Sequence, residues 1–302
     1  MASWALRVLW VGLVAAAAPA LATALHGASV PVRTVASAGL WVGWAVGVGA
    51  VLVRHPVSLT ALRMLAPAGA AVVVVSAVAG VGRWSAAVAL AVITAAAVIA
   101  FLPGIGTLWV NGPAYPNERR FLLRVPGPAV GGRLAVAVTW ALAIVGATAG
   151  PLLLAAGLWV AGALALVVGL PVAVVAARSL HNLSRRWAVV VPAGLVLHDP
   201  VALTDPVLFA RQSIVSLGPV QGGNGPALDL TQRAGGPALD LDLSEPAGIT
   251  LMRPGRRLGE AVEASRLRFT PSRPGQLLDH ANERRIGRRQ AATPPPSTSS
   301  PR

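Results

Sequence analysis

Side chains able to do chemistry are few in this chain, and none of their groupings has a catalytic spacing. His181, Ser184, His198 and Asp199 supply the three residue types of a nucleophile–base–acid set. Such a set needs a strand–turn context to bring its members together, and no such context surrounds them. They read as neighbours by chance, with His198-Asp199 ending a hairpin and Asp199-Pro200 turning. Asp229, Asp240 and Asp242 invite a calcium reading. A calcium loop needs clustered carboxylates and a bidentate glutamate, which these lack, so they read as the wet face of a strand. With no cysteine in the chain, disulfides, thiolate metal sites and cysteine nucleophiles are excluded. There is no P-loop, dinucleotide glycine fingerprint or metalloprotease helix. The sequence reads as non-enzymatic, with no cofactor and no metal.

The elements that carry these residues are mostly apolar. Glu118 is the one acidic residue in the first 198 positions, and long runs of Ala, Val, Leu, Gly and Trp surround it. A water-soluble domain needs a charged outer face, and this stretch offers none. It reads as a polytopic membrane domain over residues 1–178, with spans near 4–25, 35–53, 64–82, 84–102, 134–155 and 158–177. The last two form one continuous apolar run that must fold back, best at 155–158, with Gly150-Pro151 as the rival break. All 25 basic residues are arginine and the net charge is +14. Because the arginines sit at the ends of apolar runs and in the tail, anionic lipid is the expected partner rather than nucleic acid. An N-terminus inside gives the inner segments Arg7, Arg54, Arg63, Arg119, Arg120, Arg124, Arg133, Arg178, Arg185 and Arg186. The outer loops then hold Arg33 and Arg83. That bias predicts a bacterial inner-membrane protein with both termini cytoplasmic. Ala18-Pro19-Ala20-Leu21-Ala22 resembles a signal-peptide cleavage site, but the weak basic n-region and long apolar run favour a retained span.

Inside the spans the readings are structural. Gly39, Gly43 and Gly47 share one helical face, and Gly146 and Gly150 offer a shorter version, as close helix packing requires. Trp4, Trp41, Trp84, Trp109 and Trp159 fall near span ends, while Trp10, Trp44 and Trp140 lie deeper. No Asp or Glu lies in a span, so a coupled ion pathway is not indicated. Pro19, Pro67, Pro151 and Pro171 could break helices and build a substrate site, which keeps a transporter or channel subunit for an uncharged substrate as the alternative. Between the fourth and fifth spans, residues 103–133 hold Glu118, Arg119 and Arg120. A solvated basic loop at the headgroups is the plainest reading of these; they could also pair locally and shape the loop, or instead dock it against the C-terminal domain.

That domain, residues 185–286, begins where helical bulk gives way to short strands. Residues 187–191 and 195–198 form a hairpin about Pro192-Ala193-Gly194. Further strands are expected at 207–209, 214–217, 249–252 and 267–269. GPALDL recurs at 225–230 and 236–241, which reads as two strands of one hairpin, with Leu239, Leu241 and Leu243 inward and Asp240 and Asp242 outward. A helix over 274–285, with Ser272 as its cap, closes the sheet, and the Pro/Ser/Thr-rich tail 287–302 reads as disordered. Arg185, Arg186, Arg284, Arg285, Arg288 and Arg289 are the expected lipid contacts. The hairpin WAVVVPAGLVLHDP at 187–200 and the strand order resemble the bacterial pleckstrin-homology-like domain. The phrase AYPNERRFLLRVP at 114–126 and the same hairpin resemble uncharacterised actinobacterial integral membrane proteins. The resemblance implies an architecture: a six-helix membrane bundle plus a small cytoplasmic antiparallel β domain closed by a C-terminal helix (PH-like). It implies no activity. The function expected is an anchor or adaptor that presents this domain to a lipid surface or to a membrane or cytoplasmic protein.

Overall fold

The computed structural model describes residues 1–78, 83–127, 132–220, 226–252 and 259–287. Six helices are long and apolar enough to cross a membrane: α1 (Ala2–Leu25), α2 (Val30–Leu52), α3 (Pro56–Val78), α4 (Arg83–Phe101), α6 (Gly132–Ala155) and α7 (Trp159–Ser184). A helix satisfies its own backbone groups, the condition a lipid-embedded segment must meet. Two helices overrun the apolar windows. α3 begins eight residues before 64, because Arg63 interrupts hydropathy without interrupting helix, and α7 continues seven residues past 177. The turn between α6 and α7 falls at Ala156-Gly157, where Gly157 takes φ +79°. Pro151 stays inside α6, so the rival break is not used. Helices α6 and α7 pack chiefly on each other, and α1 to α4 form a separate group that they adjoin.

The segment between α4 and α6 is structured rather than a loop. A short helix, α5 (Pro103–Val110), packs beneath α3 and α4 and is followed by a strand, β1 (Arg119–Leu122). After α7 come β2 (Trp187–Val191), β3 (Gly194–His198), β4 (Val207–Ala210), β5 (Ile214–Pro219), β6 (Leu228–Asp229), β7 (Leu239–Leu251) and β8 (Glu260–Phe269). A closing helix, α8 (Pro274–Glu283), follows them. The strands make two four-stranded sheets, ordered β1-β2-β3-β4 and β5-β7-β8-β6. All pairs are antiparallel except β6 with β8. Inward residues of both sheets share one core, including Val190, Leu195, Phe209, Leu241, Leu267 and Phe269, and α8 adds Leu277 and Ala281.

Two sequence expectations are corrected here. The repeated GPALDL does not form a hairpin. β6 runs parallel to β8, while β7 pairs with β8 and β5, so the two copies lie on opposite sides of β8. The local alternation of Leu and Asp fixes which face of a strand is buried but not which strand it pairs with. Ser272 does not cap α8. The residue before the helix is Arg273, with no side-chain cap, and Pro274 at the start needs none for its missing N–H. The tail expectation, together with Arg288 and Arg289, lies outside the described residues.

Candidate functional site

The place where several sequence-marked residues meet is the junction between bundle and sheets, and β1 makes it. Residues alternate across a strand. Phe121 and Leu123 therefore enter the core of the sheets, while Leu122 between them enters the core of the bundle. Trp187, the register partner of Leu122 on β2, also packs on the bundle side. One strand thus belongs to two cores, and the sheet domain is held at its base rather than tethered.

Glu118 accepts a hydrogen bond from Arg120 Nε at 2.8 Å and another from the Tyr115 backbone N–H at 3.3 Å. The Arg120 hydrogen bond holds the Glu118 carboxyl below its ordinary range, and burial opposes the shift. Asn111 bridges the same turn, with its amide nitrogen donating to Arg120 O and its oxygen accepting from Arg120 N, each at 2.8 Å. The Arg120 guanidinium lies 5.1 Å from the Trp187 ring centroid. Arg120 and the β1 backbone therefore make the contact with the domain. Glu118 shapes its own loop, and the Arg119 guanidinium donates to the Glu118 carbonyl at 3.2 Å.

Arg186 overturns the expectation of a headgroup contact. It is 1% exposed and grips Asp199 through two hydrogen bonds of 2.7 and 2.6 Å. A third donor of its guanidinium reaches Arg124 O at 2.8 Å. Asp199, also buried, accepts from Val201 N at 3.0 Å. A guanidinium fork matched to a carboxylate is among the strongest pairings available to side chains. Here it ties the end of β1, the start of β2 and the turn after β3 into one knot. A signal was present in the sequence. The hairpin register Trp187↔His198, extended one step, sets Arg186 opposite Asp199. His198 stacks on Trp187 at 5.3 Å, and burial lowers its pKa, with Arg185 and Arg120 adding to the shift and Asp199 opposing it.

The acidic strand face is also corrected. Asp240 and Asp242 lie on the face opposite the leucines, as the alternation requires, but Asp240 is buried and each meets an arginine across the strand pair. Arg268 grips Asp240 at 2.7 and 3.0 Å, and Arg266 binds Asp242, which also accepts from Ser216 Oγ at 2.6 Å. Burial would raise the Asp242 carboxyl, but the Ser216 and Arg266 hydrogen bonds outweigh it and its pKa is lowered. The hydrogen bond to Asp240 raises that of Arg268. The face is a charge ladder, close to neutral. Among the described residues no group of His, Asp and Glu could hold a metal ion.

Of the other expected lipid contacts, Arg185 and Arg285 are exposed and Arg284 is half-buried. Arg185 caps the end of α7 and the other two follow α8. The end of α8 that meets the bundle is its beginning, at Arg273, close to Gly104. No family model, curated protein or solved structure matches the chain.

Proposed function

We propose that the protein is a non-enzymatic integral membrane adaptor of the bacterial inner membrane, which presents a PH-like sheet domain on the cytoplasmic face to protein or lipid partners. The observation that supports it best is β1. By lending a strand from between two spans to the sheet that follows the last span, the chain fixes the height and orientation of the domain against the bundle. A fixed platform suits presentation; a freely swinging domain would not need the shared strand. The cytoplasmic orientation rests on arginine, since the bundle end that carries the sheets holds all ten arginines named above for the inner side and the far end holds Arg33 and Arg83. The transport alternative is motivated by prolines able to interrupt helices. Pro19, Pro67, Pro151 and Pro171 all lie inside unbroken ones.

The test uses the full chain in two arms. A reporter fused after the last residue should be active only in the cytoplasm, and proteoliposomes of the purified chain should pass neutral solutes no faster than empty vesicles. An externally exposed reporter, or protein-dependent solute flux, would replace this reading.

A further inference from the structure

Two clefts lie side by side on the end of the bundle that carries the sheets, and Leu108 of α5 lines both. The first, about 520 Å³, is lined by Arg7, Leu52, Arg54, Leu108, Asn111 and Gly112. The second, about 700 Å³, runs from the start of α1 past the α4–α5 turn to the first turn of α8, where Ser272, Arg273 and Gln276 face it. Every ionisable side chain on either lining is an arginine. Among the described residues none of Arg7, Arg54 and Arg273 is paired with a carboxylate.

Each arginine keeps donors free for a ligand. Arg7 spends its Nε on Val51 O at 3.1 Å, and its guanidinium lies 5.2 Å from the exposed ring of Trp4. That leaves its two terminal nitrogens for something outside the chain. Arg54, in the connection from α2 to α3, is exposed. Arg273, half-buried before the first turn of α8, is the cation of the second cleft. Leu52, Leu102, Ile105 and Leu108 give the linings an apolar part beside the cations, and Asn111, Ser3 and Gln276 add neutral polar groups. The linings adjoin the lipid-facing side of α1, where Trp4, Val8 and Val11 are exposed. A ligand that fits must bring negative oxygens to guanidinium forks and an apolar part to the leucines.

We propose that the two clefts form a headgroup site for an anionic glycerophospholipid. Arg7 and Arg54 bind its phosphate, and Arg273 binds the polar glycerol end. The inference rests on the reading of α1 to α4 as membrane-spanning. These residues differ from Arg185, Arg284 and Arg285, so the two sets make separate claims. The shared chemistry is a phosphate ester, and a free phosphate compound would meet the same guanidinium groups, so the experiment separates the two sources.

The experiment is native mass spectrometry of the purified full chain in detergent. The chain is titrated with phosphatidylglycerol, with phosphatidylcholine and with glycerol 3-phosphate. Phosphatidylglycerol should bind saturably and roughly tenfold more tightly than phosphatidylcholine, and glycerol 3-phosphate should not compete at equal concentration. Arg7→Gln with Arg54→Gln should abolish the preference, and Arg54→Gln alone, at an exposed residue paired with no carboxylate among the described residues, should reduce it several-fold. Arg54→Lys should recover part of it, and Arg185→Gln should leave it intact. Equal affinity for the two lipids, or an unchanged preference in the double variant, would overturn the site. Competition by glycerol 3-phosphate would overturn the lipid assignment. Release of the chain from membranes by alkaline carbonate would instead remove the membrane reading on which it rests.

Discussion

Arginine is treated in two ways by the two halves of this molecule. In the sheets each of Arg186, Arg266 and Arg268 meets an aspartate. In the bundle, where no acid is available, arginines turn to carbonyls and rings. Arg7 bonds Val51 O and lies over Trp4, while Arg63 reaches Ala100 O at 3.4 Å and lies 5.5 Å from the Phe101 ring centroid. Carbonyls at a helix C-terminus carry partial negative charge and π faces attract cations, so both hold a guanidinium without cancelling its charge. Charge is thus neutralised inside the sheet domain and left open along the base of the bundle. That difference teaches where an external anion can act.

The sharpest break in the comparison is at Asp199. Removing one partner of a buried ion pair strands the other charge, typically at a cost of about 3–5 kcal/mol. Asp199→Ala should therefore destabilise the sheet domain by about that much. Hydrogen exchange should rise across residues 119–124 and 187–191, while α6 and α7 keep their protection. The paired change Arg186→Met with Asp199→Leu should recover most of the loss, since an apolar pair of similar bulk avoids the stranded charge. Unchanged exchange in Asp199→Ala would mean that the knot is ornamental.

Packing offers a second contrast, within the bundle. Gly39 and Gly47 lie on one face of α2 and look equivalent in sequence, yet a Cβ on Gly47 would overlap the Trp10 indole and one on Gly39 meets nothing. Trp10 cannot easily retreat, because Trp10 and Trp44 each donate their indole N–H to the other's backbone carbonyl at 3.1 Å. On α6, a Cβ at Gly150 would come within 2.9 Å of the Leu166 backbone. Gly47→Ala and Gly150→Ala should each cost about 1–3 kcal/mol as overpacking, and Gly39→Ala about zero. Thermal unfolding in nanodiscs reads all three. Equal effects at Gly39 and Gly47 would show that the repeat acts as a face, and that the Trp10 contact decides nothing.

These contrasts show what was legible in the sequence. Six long apolar helices, the turn before Leu158 and the 187–198 hairpin follow from hydropathy and turn residues, which act locally. The role of residues 119–123 was not legible, because a strand whose register partners lie 65 (Leu122↔Trp187) to 71 (Arg119↔Val190) positions away leaves only a four-residue segment to find. Arg186 misled for a physical reason too. A basic residue after a span has the same composition whether it faces headgroups or turns inward to an aspartate, and only the hairpin register distinguishes the two.

Acid should loosen the loop before it touches the buried knot. The Glu118 carboxyl sits below its ordinary value of 4.5 when folded. Its contribution is present above 4.5 and is lost as pH falls through the folded value, since the unfolded chain takes up the proton first. Hydrogen exchange of residues 115–120 should rise with acidification in the wild type. Glu118→Gln should raise it at neutral pH and flatten its pH dependence. A wild-type profile unchanged down to strongly acidic pH would show that the Arg120 bond does not hold the turn.

The smallest effect expected is at His198, and it tests whether the junction tolerates one more positive charge. Its ring stacks on Trp187, with the Arg120 guanidinium near the same indole and Arg185 close by. The neighbouring negative charge, Asp199, is already occupied by Arg186. Burial and the two arginines therefore favour the neutral imidazole, and the folded pKa lies below the ordinary 6.5. A base whose pKa is lowered by folding stabilises the fold above its unfolded pKa and loses that contribution as pH falls through 6.5 toward the folded value. Stability of the full chain should thus decline slightly between neutral pH and the onset of carboxylate titration. His198→Phe keeps the stacking plane, removes the titration and should flatten that segment alone. A decline that survives His198→Phe would place the titrating group elsewhere and leave the junction indifferent to added charge.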